Sequence, residues 1–196
     1  MILPPFVIEA VERELGEAPR AVVPVGGGCI HEAARIETAS GAVFAKWSAR
    51  AAPRMFELEA AGLRQLAATN TISVPSVIAQ TSQALLLSWV EPSASRGLAM
   101  RDAGHQLASL HDQRGHAPGD EEDGYIGTLA QANGAKPSGG WLEFFRAQRV
   151  EALTPCLPTG LRNRVEAIDF EGLLDEPDGG CALLHGDLWG GNLVCG

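Results

Sequence analysis

The sequence predicts an α+β protein of two lobes. An antiparallel β-sheet lobe with one inserted helix spans 1–90, and a mainly helical, incomplete lobe spans 91–196. Three observations predict this. Residues 20–90 carry short apolar or alternating runs separated by turn residues, the pattern of strands. One segment inside that region, "PRMFELEAAGLRQLAAT", switches to helical spacing. After Glu91 the strands give way to helical stripes and a long stretch rich in Gly and acidic residues.

Each element follows in order. "MILPPFVIEAVEREL" has no basic region ahead of its apolar residues and reads as an amphipathic helix, not a signal peptide. "RAVVPV" is an apolar strand ending in "GGG", and "CIHEAARIET" alternates with Ile30, Ala34 and Ile36 on one face. "ASGA" turns the chain into "AVFAKWS", a further strand. Pro53 suits a first helical turn, and Phe56, Leu63 and Leu66 recur at helical spacing behind it. "SVIAQ", "TSQ" and "ALLLSWVE" read as a hairpin whose second strand is apolar enough to be buried. "PSASRG" is a linker, and "LAMRDAGHQLASLHDQ" is a helix with Ala103, Leu107 and Leu110 on one stripe. Residues 115–140 read as a long loop. "WLEFFRAQRVEALTPCL" and "LRNRVEAIDFEGLLDE" read as helices, and "CALLHGDLWGGNLVCG" as a short strand, a glycine-rich loop and the start of another strand.

Composition excludes several classes. Net charge is −9 without a long Lys/Arg run, which argues against a nucleic-acid partner. No stretch approaches the roughly 20 apolar residues of a membrane span. Cys29, Cys156, Cys181 and Cys195 lack CxxC spacing, so neither a zinc site nor a disulfide scaffold is indicated. Four reduced thiols in a cytoplasmic protein are expected.

"HGDLWGGN" carries the chemistry. His185, Gly186, Asp187, four further residues and Asn192 match the catalytic-loop spacing of kinases, H-R-D-x-x-x-x-N, with Gly in place of Arg. In that loop the Asp accepts the proton of the attacking hydroxyl and the Asn binds Mg²⁺. Three upstream features agree in chain order. "VGGGCIHEA" stands between two strands, where a kinase covers its phosphates, and it lacks the Gly-Lys-Ser/Thr of a Walker loop. Lys46 lies in the third strand and is the only lysine before Lys136; kinases place there the lysine that grips the α- and β-phosphates. Glu59 lies in the following helix, where a kinase fixes that lysine. It is preferred to Glu57 because Leu63, four residues on, belongs to the apolar stripe. The layout is that of a protein-kinase-like bilobal fold.

Taken together, "GGGCIHEA", "FAKWS", "MFELEAAGLRQL" and "LLHGDLWGGN" resemble the fructosamine-kinase (ketosamine 3-kinase) family, as does "YIGTLAQANG" followed by "WLEFFRAQRV". The resemblance implies ATP-dependent phosphorylation of the 3-hydroxyl of a sugar-derived ketoamine, free or on a glycated protein. The phosphorylated adduct then leaves its amine, so the implied role is deglycation. It implies Asp187 as the base, Asn192 as a Mg²⁺ ligand, Lys46 on the ATP phosphates and Glu59 orienting Lys46. It further implies that Gly26, Gly27 and Gly28 let the loop backbone approach the phosphates, and that the backbone of Ser88, Trp89 and Val90 forms the hinge against adenine. Trp189 and Trp141 are implied to shape the sugar pocket, with helix-start packing as the alternative for Trp141. His185 is read as holding its loop by hydrogen bonds, and His111 as a helix-end residue of the core.

In kinases a second metal-binding acid lies one hairpin beyond the Asn. Asp169, Asp175 and Asp178 all precede the loop, and the sequence stops at Gly196. A fragment or truncated kinase with impaired transfer is therefore expected, since transfer depends on that metal. A small-molecule kinase of the aminoglycoside or choline type, or a non-catalytic nucleotide-binding module, are the alternatives. Cys29, directly after Gly28, is read either as a redox brake on the glycine-rich loop or as a half-buried residue starting a strand.

Overall fold

The structure is a computed structural model that describes residues 1–26, 31–92, 96–134, 139–188 and 190–194. The chain divides into two compact units. One comprises Met1–Leu110 and the segment that begins at His185; the other is His111–Leu184.

The first unit is built on a five-stranded antiparallel sheet. Its strands are β1 (Ala21–Pro24), β2 (Glu32–Glu37), β3 (Ala42–Trp47), β4 (Val77–Gln80) and β5 (Ala84–Ser88), in spatial order β1-β2-β3-β5-β4. Helix α1 (Pro5–Leu15) precedes the sheet, and α2 (Met55–Ala68) is inserted between β3 and β4. Period-two alternation decides which helix covers which face. Ala34, Ile36, Val43, Ala45, Trp47, Ala84 and Leu86 pack with Val7, Ala10 and Val11 of α1. Leu85 and Leu87 point the other way, onto Phe56 and Ala60 of α2, with Phe44 and Leu63 beside them. The interior strand β5 is thus buried on both sides, as its uninterrupted "ALLL" predicts.

Pro53 lies outside the helix it was expected to start. Helix α2 begins at Met55, after Arg54 in a left-handed conformation (φ +61°) whose guanidinium donates to the Glu57 carboxylate. Helix α3 (Arg96–Asp112) buries Leu110 completely, with Ala103 and Leu107 half-buried on the same stripe.

The second unit departs further from expectation. The predicted loop at 115–140 contains a hairpin, β6 (Gly124–Ile126) and β7 (Leu129–Gln131). Its turn needs Gly127, which sits at φ +61°, a region L side chains rarely adopt. Asp123 closes the hairpin's base: its Oδ1 accepts from the N–H groups of Asn133 (2.8 Å) and Gly134 (2.7 Å). These bonds, that from Gly134 foremost, hold its carboxyl below the usual range. The helix predicted from Trp141 is α-helical only over α4 (Trp141–Phe145) and continues as a π-helix over Arg146–Glu151. That wider turn carries Arg149, which lies 4.7 Å over the Phe144 ring and donates to the carbonyl of Ala132 (2.6 Å). The next helix, α5, covers only Thr159–Glu166. Beyond it Asp169 Oδ1 accepts from Gly172 N–H at 3.1 Å, a local side-chain bond that competes with helix continuation. The strand expected at 181–184 reduces to one bridge, Cys181 with His116, and no ladder forms around it.

Candidate active site

Strand β3 places Lys46 on the face opposite α1, between the fully buried Ala45 and Trp47. Helix α2 places Glu59 against it, and Lys46 Nζ donates to both carboxylate oxygens at 2.9 Å. Glu57 faces elsewhere and pairs with Arg54. Lys46 and Glu59 keep 27 % and 34 % of their side-chain surface exposed, so the pair contributes only about 0.2–1 kcal/mol to stability. Burying Phe56 contributes about 1.5–3 kcal/mol. Packing therefore sets the position of α2, and the ion pair uses that position to aim Lys46.

His31 was missed as a site residue. It stands three residues after Gly28, and its ring lies 5.3 Å from that of Phe56. Partial burial is the main cause that lowers its pKa from 6.5; Lys46 lowers it further and Glu59 opposes. A histidine whose folded pKa is depressed charges more easily in the unfolded chain. Its stabilising contribution is complete above pH 6.5 and is lost as pH falls from 6.5 towards the folded value. His31→Gln should accordingly flatten the fall of Tm with acidification in that window; an unchanged profile would show that other groups control it. The only sequence signal for His31 is its place three residues after the glycines, which no periodicity marks.

At the hinge, Ser88 is committed to the sheet. Its N–H donates to Ser76 O at 2.9 Å and its Oγ accepts from Ser76 N at 2.9 Å. Among the described residues the backbones of Trp89 and Val90 make no backbone hydrogen bond. Gly26 is exposed, with nothing near a notional Cβ. Gly27, Gly28, Cys29 and Trp189 lie outside the described residues.

The catalytic-loop segment belongs to the same unit as the sheet. Gly190–Asn192 forms a 3₁₀ turn that returns Asn192 to Asp187. Asn192 Nδ2 donates to the Asp187 carbonyl at 2.7 Å and to Asp187 Oδ2 at 2.9 Å. With its amide nitrogen so engaged, Asn192 has its oxygen left to face a cation. Asp187 N–H points to His185 Nδ1 at 3.4 Å. Gly186 takes φ +82°, a backbone conformation that favours glycine. No atom lies within 4 Å of a notional Cβ there, so the cost of a side chain is conformational, about 1–2 kcal/mol. Gly186→Ala should lower turnover roughly 5- to 30-fold without an equivalent loss of nucleotide affinity. Equal losses in both would place Gly186 in the nucleotide site instead.

Trp141 belongs to the second unit. It stacks on Phe145 (centroids 5.3 Å apart, 24° between planes), and its N–H is capped by Glu176 Oε2 at 2.9 Å. The helix-start alternative accounts for these contacts.

Among the described residues no three His, Cys, Asp or Glu side chains gather as a metal site. The amide oxygen of Asn192 is a hard donor in an exposed loop, which suits Mg²⁺ held partly by substrate phosphates.

A five-stranded antiparallel sheet, an inserted helix whose glutamate holds the third-strand lysine, and a His-Gly-Asp…Asn loop define the protein-kinase-like class. The sequence model of the family described as fructosamine kinase matches residues 6–196, and the chain belongs to that family. It is 33 % identical to a probable ketoamine kinase of Enterococcus faecium, over 88 % of this chain and 64 % of that protein. It is 31 % identical to the chloroplastic protein-ribulosamine 3-kinase of Arabidopsis thaliana, over 87 % of this chain and 56 % of that one. A solved structure from Thermobifida fusca, described as a fructosamine-3-kinase, superposes with a TM-score of 0.76 at 30 % identity, covering 96 % of this chain and 68 % of that one. The chain thus spans less than two thirds of the length of those two curated relatives.

Proposed function

We propose that this chain supplies the nucleotide-binding lobe and catalytic loop of an ATP-dependent kinase acting on the 3-hydroxyl of fructosamine or ketosamine adducts, a protein-deglycating phosphotransferase. The lobes in this reading are 1–90, which binds ATP, and 91–196, part of the helical lobe. The observation that carries it is the Lys46–Glu59 pair at 2.9 Å on the sheet of a chain of this family. The names of the relatives, ketoamine and ribulosamine 3-kinases, supply the substrate class.

Lys46 Nζ, aimed by Glu59, donates to the α- and β-phosphates. Trp89 and Val90 offer their backbone groups to the base. Asp187 accepts the proton of the substrate 3-hydroxyl as its oxygen bonds to the γ-phosphorus and the bond to the β-phosphate oxygen breaks, releasing ADP. Asn192 would hold Mg²⁺, which when bound neutralises charge on the phosphates. The substrate is a small ketoamine or a glycated protein. No helix among the described residues is long and apolar enough to cross a membrane.

The test incubates the whole protein with Mg·ATP and, separately, ketoamines, aminoglycosides and choline, and follows ADP. Release with ketoamines alone is expected. Release with choline or an aminoglycoside alone would move the acceptor class. Nucleotide binding without release by any acceptor would make this a non-catalytic module.

A further inference from the structure

The five strands contain two cations, Lys46 and Arg35. Both project from the same face of the sheet. Lys46 pairs across β2 with Ala33, and Arg35, two residues along, shares that parity. The buried residues beside Arg35, Ala34 and Ile36, point to the opposite face. In register Arg35 stands between Val23 of β1 and Phe44 of β3, and Phe44 stands opposite Leu87 of β5. Moving from Lys46 to Arg35 is therefore a step towards the hinge.

Arg35 reaches that hinge. Its guanidinium lies 5.2 Å from the ring centroid of Trp89, and it is also paired with Glu37. Trp89 in turn donates from Nε1 to Glu91 at 2.7 Å. The chain Glu37–Arg35–Trp89–Glu91 fixes a flat cation on a flat aromatic ring at the hinge end of the face. Neither contact is needed to hold the fold: exposed cation–π and ion-pair contacts are individually weak. Val23, next to Arg35, is an apolar residue that is 51 % exposed.

We infer that Arg35, stacked on Trp89, is a specificity-determining clamp for the nucleobase, closing the base end of the slot whose phosphate end is held by Lys46. This rests on the nucleotide-binding reading above. A guanidinium offers a planar face for stacking as well as charge, which an ammonium does not. Its contribution should therefore follow the base and not the number of phosphates.

The experiment measures Kd for ATP and for AMP by calorimetry on the folded chain, with thermal melts as the folding control. Arg35→Ala should weaken ATP and AMP by a similar factor, roughly three- to ten-fold. Arg35→Lys should stay as weak as Arg35→Ala. Trp89→Leu should reproduce the loss, and the double variant should add nothing to it. Unchanged Kd values in Arg35→Ala would overturn the clamp while leaving the ATP reading intact. So would a loss confined to ATP, or recovery by lysine, either of which would make Arg35 a phosphate-facing point charge. An unsubstituted chain that binds neither nucleotide would overturn the ATP reading and the clamp together.

Discussion

Replacing Asp187 by Asn should lower ADP release with Mg·ATP and a ketoamine by about 10²–10⁴-fold in the whole protein. The substitution preserves shape and removes the group that accepts the hydroxyl proton. The loop should keep its form, because the 2.7 Å bond from Asn192 goes to the backbone carbonyl of residue 187, which the substitution leaves in place. ATP affinity should then change far less than turnover. Retained turnover would show that Asp187 is not the base. A parallel collapse of ATP affinity would show that its carboxylate serves the nucleotide and not the acceptor.

The second large effect is expected at Lys46. Lys46→Met removes a charged donor to the phosphates, where bonds to charged groups are worth about 1.5–3 kcal/mol. ATP affinity should fall roughly 10- to 100-fold. Stability should change little, because the pair with Glu59 is partly exposed and the unit is held by the buried faces around Trp47 and Phe56. Glu57→Gln is the control: its carboxylate serves Arg54 at the start of α2, so ATP affinity should be unaffected. A Lys46→Met chain that binds ATP normally would remove Lys46 from the phosphate site. A chain that unfolds would show that Lys46 has a structural role which its partial exposure does not predict.

Much of the first unit was legible because its signals are local. Alternation in "EAARIE" and "AVFAKW" specified which residues face α1, and the unbroken "ALLL" marked the one strand buried on both sides. The helical spacing of Phe56 and Leu63 put Glu59, and not Glu57, on the side of α2 that meets β3. The second unit was less legible. Its hairpin strands are three residues each, too short for alternation to register, and are held by the Asp123 clasp to Asn133 and Gly134, ten and eleven residues away. The end of α5 was misplaced because the Asp169–Gly172 bond overrides a helical pattern of apolar residues.

By itself the sequence determined the element order of the sheet lobe, the identity of the paired Lys and Glu, and the spacing of Asp187 and Asn192. Each of these rests on residues close in the chain, where backbone period and side-chain type decide the outcome. Only the tertiary structure decided that His31 lies against Phe56 beside the Lys46–Glu59 pair, that Ser88 is tied to Ser76, and that the Arg35 guanidinium lies over the Trp89 ring. These depend on strand order and register. In the β1-β2-β3-β5-β4 sheet, residues 54 positions apart in sequence, Arg35 and Trp89, meet because β3 and β5 lie side by side with α2 and β4 looped out between them. No periodicity in the chain encodes that adjacency; it follows from burying both faces of one sheet at once.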